Sequence, residues 1–161
     1  PGTRRAVPLA PMGAAATRPP AYLAGGGGLQ STAYDYHRFT QMLANAGELD
    51  GVRILSPRTV KMMASNHLPG NVDLTAFGRP LFSETTFDGI GFGLGVSVTH
   101  DPIAGKVPGN AGEFAWGGAA STAFLVDPVD DLTVMFFTQL MPSSTHPIRS
   151  QLKQLIYQSF V

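Results

Sequence analysis

The chain has 161 residues, 43% hydrophobic and 14% charged, which suits one compact domain with a real core and excludes a disordered chain. Lys plus Arg and Asp plus Glu balance at 11 each, so no net field draws the protein to nucleic acid or an anionic membrane, and no nucleic-acid partner is expected. With no cysteine there are no disulfides or thiolate metal sites, and no apolar run approaches the roughly eighteen residues of a membrane span.

The first residues lack the apolar core of a signal peptide, so the sequence reads as soluble, with cytoplasm and periplasm both open. It begins at Pro1 without Met, as a processed or truncated product does. Residues 1–24 are rich in Pro and Ala and read as an extended connecting segment; 25–161 read as the folded portion. Gly25 to Gly28 lead to Thr32, a good N-cap, and Asp35 at the third helical position favours a helix start. Tyr36, Phe39, Leu43 and Ala46 then predict one buried helical stripe, stopped at Gly47.

Asp50-Gly51 between Leu49 and Val52 signals a tight hairpin, and Ser56-Pro57 opens a second helix running to about Ser65. From Asn66 to Asp88 no period survives, which predicts a long loop of the kind that borders binding sites. Ile90 to Thr99 alternates apolar residues with Gly, Ser and Thr and predicts a single strand. Further strands are expected at Glu113 to Trp116, Ala120 to Val126 and Leu132 to Gln139, the last two joined by the Asp127 to Asp131 turn. Pro147 to Phe160 predicts a helix burying Ile148, Leu152, Leu155, Ile156 and Phe160 against the sheet. The order of elements is that of an α+β fold, with helices and a hairpin first, then an antiparallel sheet with a C-terminal helix packed on it.

Chemistry is suggested by Trp116-Gly117-Gly118-Ala119. Two glycines after an aromatic residue, on what should be a sheet edge, leave backbone amides uncovered for a substrate carbonyl, which is half of an oxyanion hole. The other half, an activated nucleophile, is not evident. Ser150-Gln151-Leu152-Lys153 and Tyr157-Gln158-Ser159 match short catalytic motifs, but helical spacing puts Ser150, Lys153 and Tyr157 opposite the apolar stripe, facing solvent. They are read as chance matches. Glu113 is read as solvating a strand end. Gly25 to Gly28 has no Lys in phosphate-loop spacing, and His37, His67, His100 and His146 lack metal-site spacing, so neither cofactor nor metal is expected.

In series, Gly25-Gly26-Gly27-Gly28-Leu29-Gln30-Ser31-Thr32, Gly47-Glu48-Leu49-Asp50-Gly51-Val52, Leu55-Ser56-Pro57, Gly91-Phe92-Gly93-Leu94-Gly95 and Trp116-Gly117-Gly118 resemble the C-terminal half of serine β-lactamase-like proteins. That superfamily includes class C β-lactamases, penicillin-binding proteins and, nearest in pattern, family VIII carboxylesterases. The resemblance implies a partial β-lactamase/transpeptidase-like fold. It also implies an acyl-enzyme hydrolase whose Ser-x-x-Lys and Tyr motifs lie upstream of Pro1, leaving this chain alone inactive.

By the same resemblance Trp116, Gly117 and Gly118 line the substrate pocket and the Ala119 N–H donates to the oxyanion. Trp116 replaces the lysine that pairs with a β-lactam carboxylate, so small neutral esters are the expected substrates, unless a cation such as Arg79 compensates. A β-lactamase, a D-amino-acid peptidase or a non-catalytic scaffolding relative are the alternatives. The implied partners are an ester or amide substrate and the missing N-terminal part of the same protein, with homo-oligomers favoured if a sheet edge stays open.

Overall fold

The protein is described by a computed structural model covering residues 5, 7–8, 19, 21–25, 29–78 and 87–160. Gly26 to Gly28 and Arg79 lie outside the described residues. The chain divides into two units, Pro1–Thr32 and Ala33–Val161. The described part of the first has neither helix nor strand.

In the second unit, α1 (Ala33–Ala44) is followed by a hairpin of β1 (Glu48–Leu49) and β2 (Val52–Arg53). The Gly47 N–H returns to the Met42 carbonyl at 2.8 Å, which ends α1 where the sequence places its stop. Ser56 caps α2 (Pro57–Met63) by accepting the Thr59 N–H at 3.1 Å. The predicted long loop holds a 3₁₀ turn at Pro69–Asn71 and a one-turn helix α3 (Leu74–Phe77), which Asp73 caps through the Ala76 N–H.

A five-stranded antiparallel sheet follows in the order β3 (Ile90–Phe92), β4 (Ser97–Thr99), β5 (Phe114–Gly117), β6 (Ala123–Asp127) and β7 (Leu132–Phe136). The single strand expected over 90–99 is thus two strands folded on each other, with Gly91 opposite Val98. The glycines serve close approach to backbone: a Cβ on Gly93 would lie 2.0 Å from the Met63 carbonyl oxygen. Met63 in turn accepts the Leu94 N–H, so α2 packs on the bend.

The sheet has two different faces. Met42 and Leu43 of α1 meet Val96, Val98, Phe114, Phe124 and Val126 in the core. Tyr36 sets its ring edge-on to Phe124 at 5.6 Å. The opposite face carries Ser97, Thr99, Ala115, Ala123, Leu125, Val134 and Phe136, and these line a cavity of about 570 Å³ together with Leu152 and Ile156 of α4 (Ile148–Gln158).

The roll of α4 departs from the sequence expectation. Leu155 is 64% and Phe160 49% exposed, whereas Lys153 and Tyr157, expected in solvent, turn toward the sheet. Glu113 and Asp127 cause the roll. Both carboxylates are buried, with Glu113 3% and Asp127 0% exposed, and buried carboxylates need partners more than a leucine needs cover.

Candidate active site

β5 is the central strand and not the edge strand that the sequence suggests. A local edge nevertheless exists. β4 pairs with β5 through Ser97 opposite Ala115 and Val98 opposite Phe114, so beyond Ala115 that flank of β5 has no neighbouring strand among the described residues. Ser97 Oγ closes the last rung by donating to the Ala115 carbonyl at 2.8 Å. On the other flank, β6 pairs with Trp116 and Gly117, and the Gly118 N–H donates to the Thr122 carbonyl at 3.0 Å. Strand alternation therefore turns the Gly117 amide toward the open flank.

A tight turn follows, closed by the Ser121 N–H on the Gly118 carbonyl at 3.1 Å. Ala119 is the second residue of that turn, a position whose N–H the turn does not use. Ala119 is exposed, and its N–H has no acceptor among the described residues. The turn is fixed from behind, because Ser121 Oγ donates to the Leu140 carbonyl at 2.7 Å and the Leu140 N–H returns to the Ala120 carbonyl. An acceptor arriving at this flank thus meets a held, unpaired donor.

The Trp116 ring is 42% exposed and stands edge-on to Phe92 with centroids 4.9 Å apart. Its register opposite Phe124 puts it on the α1 face. The 570 Å³ cavity lies over the other face, and Trp116, Gly117, Gly118 and Ala119 all contribute to its wall. The four sequence-selected residues are therefore contiguous around one open strand end, between the tryptophan face and the cavity face.

Arg149, which the sequence reading passed over, stands behind that end. It donates from Nη2 to the Gly118 carbonyl at 2.8 Å and to the Thr122 carbonyl at 3.1 Å. A Cβ on Gly117 would lie 2.6 Å from its guanidinium carbon, so glycine there makes room for the cation. This bare position was the only trace of Arg149 in the sequence, and it does not name the partner.

At the opposite end of β5, Glu113 accepts Lys153 Nζ at 2.5 Å, Thr99 Oγ1 at 3.0 Å and the Tyr157 hydroxyl at 2.9 Å. Tyr157 also contacts Asp127 Oδ2, which accepts Asn110 Nδ2 at 2.8 Å. Glu113 is consequently a buried hub and not the solvated strand end expected. Burial, then Asp127 and Glu113, push the Tyr157 hydroxyl far above its ordinary 10.0. A hydroxyl so held does not shuttle protons near neutrality. Ser150 Oγ donates to the Pro147 carbonyl of its own helix, and no hydrogen bond joins it to Lys153 among the described residues. The Ser150 and Lys153 spacing thus carries no nucleophile and base pair, although both side chains point differently from the sequence expectation. Among the described residues no three metal-ligating side chains converge, and no helix is long and apolar enough to cross a membrane.

The sequence matches the Beta-lactamase family over residues 1–158. The chain belongs to that family. Two curated relatives from Mycobacterium tuberculosis are 40% identical over 135 residues: the uncharacterized protein MT1414 of strain CDC 1551 / Oshkosh and protein Rv1367c of strain ATCC 25618 / H37Rv. Each match takes in 81% of this chain and 32% of the relative, so the chain spans about a third of their length.

Among solved structures, EstCE1, described as a hydrolase with promiscuous acyltransferase activity, superimposes with a TM-score of 0.72 at 25% identity, over 90% of this chain and 34% of that one. Unliganded simvastatin synthase (LovD) from Aspergillus terreus matches with a TM-score of 0.60 at 22% identity, over 84% and 36%. The chain thus has the β-lactamase fold, with the α+β architecture read from its sequence.

Proposed function

We propose that this chain, with residues 25–161 forming part of the domain and 1–24 a connecting segment, supplies the oxyanion-binding strand of a serine hydrolase that cleaves small neutral esters. The observation that carries this is the exposed Ala119 N–H on a turn locked from behind, beside a flank of β5 that has no neighbouring strand among the described residues. In the full-length protein, a serine oxygen from another segment attacks the ester carbonyl and the carbonyl oxygen gains negative charge. The Ala119 amide donates to it, the alcohol leaves with a proton, and water then hydrolyses the acyl-serine. Removing one such donor typically costs ~3 kcal/mol of transition-state stabilisation.

Trp116 supports the ester preference, since it offers an apolar face where a lysine would hold a carboxylate. Arg149 Nη2 is committed to the Gly118 and Thr122 carbonyls. Losing a charged hydrogen bond of about 1.5–3 kcal/mol tilts preference to neutral substrates by roughly one to two orders of magnitude. The description of EstCE1 as a hydrolase, at 25% identity, favours a hydrolase over a non-catalytic relative.

The test is labelling of the full-length protein with a fluorophosphonate, followed by kcat/KM for p-nitrophenyl butyrate and for a chromogenic cephalosporin. Labelling of one serine and an ester preference of about tenfold or more are expected. Cephalosporin turnover equal to or above ester turnover would overturn the ester reading, and no labelling would point to a non-catalytic relative.

A further inference from the structure

We infer that Arg149 is a positioning residue for the Ala119 amide, acting through the peptide unit that joins Gly118 to Ala119. This rests on the oxyanion role proposed for that amide. The carbonyl of Gly118 and the N–H of Ala119 are opposite ends of one rigid plane, so fixing one end aims the other. The Gly118 oxygen accepts twice, from Arg149 Nη2 at 2.8 Å and from the Ser121 N–H at 3.1 Å. The first bond is charge-assisted and stronger than a neutral one.

Glycine is the residue at which a peptide plane rotates with least steric resistance, and Gly118 precedes this plane. Without the cation the Gly118 carbonyl keeps one neutral hydrogen bond, from the Ser121 N–H, against rotation of the peptide away from the open flank. The cation has a second effect, because positive charge on the carbonyl oxygen polarises the peptide and makes its N–H a better donor.

Geometry ties the arrangement to sequence at two further points. Nη2 also binds the Thr122 carbonyl at 3.1 Å, bracing the two ends of the turn against each other. The bare Gly117 is what lets the guanidinium reach both, since any Cβ there would collide with it. Lys153 and Tyr157 anchor the same helix at the far end of β5, so α4 delivers Arg149 from a fixed position. Trp116 and the two glycines are therefore only the visible half of the motif, whose other half sits 31 residues beyond Gly118.

The experiment compares wild type, Arg149→Met and Arg149→Lys in the full-length protein labelled with ¹⁵N-alanine. In Arg149→Met the Ala119 amide resonance should shift or broaden while that of Ala115, further back on the paired part of β5, stays in place. With p-nitrophenyl butyrate, kcat should fall roughly tenfold, less than the 10²–10³ for outright loss of a donor, with KM within about twofold. Arg149→Lys should recover part of kcat. An unmoved Ala119 resonance, or a rise in KM at constant kcat, would overturn the inference. A wild-type protein without ester turnover would instead remove the proposed function, and the Ala119 resonance would still decide whether Arg149 holds the peptide.

Discussion

Gly117 has no room for a methyl group, because the Arg149 guanidinium occupies the place a Cβ would take, 2.6 Å away. Gly117→Ala should therefore push Arg149 off the turn and destabilise the fold by about 1–3 kcal/mol through overpacking, measurable as a lowered urea midpoint. An unchanged midpoint would show that the helix yields without strain. Tyr157 makes a different prediction. Its hydroxyl is held neutral in the fold far above the ordinary 10.0, so the unfolded chain ionises first as pH rises. The stability from this group is complete below about pH 10 and declines above it, and Tyr157→Phe should flatten the decline. Tyr36, also raised by burial, leaves a residual slope. Urea unfolding between pH 8 and about 11 measures both slopes, and parallel curves would contradict the assignment.

Among the elements, α4 is the one held mainly by charge. Lys153 and Glu113 have side chains 16% and 3% exposed, so removing Lys153 leaves the Glu113 carboxylate buried without its counter-charge. Lys153→Met should cost about 3–5 kcal/mol, whereas mutating the exposed Arg38 and Asp50 pair, screened by solvent, should cost far less; chemical denaturation of both variants gives the comparison. Equal losses would mean that α4 is pinned by its apolar contacts instead. The roll of this helix was not legible in the sequence for the same reason, since the carboxylates that turn it lie 40 and 30 positions away. Ser56, Pro57 and Gly47 were legible because capping and termination act within a few residues. The fold-back inside 90–99 was hidden, because alternation predicts strand faces but not where a strand doubles back.

At the scale of the whole unit, a core between α1 and one sheet face leaves the other face to α4, a wide cavity and the polar ties around Glu113. The α+β order was readable from patterns along the chain. The open flank was not, because it arises where β4 stops beside Ala115, a fact of pairing between segments. Two ends of β5 are thereby given separate tasks, Glu113 anchoring α4 and Ala119 presenting a donor.

The central claim is that this donor receives a developing oxyanion. A crystal structure of the full-length protein after reaction with a p-nitrophenyl phosphonate tests it most directly, since the phosphonyl oxygen marks the oxyanion position. That oxygen is expected about 2.7–3.1 Å from the Ala119 nitrogen, with Arg149 still on the Gly118 carbonyl. A phosphonyl oxygen held by other groups, with the Ala119 N–H bonded to another part of the protein, would contradict it.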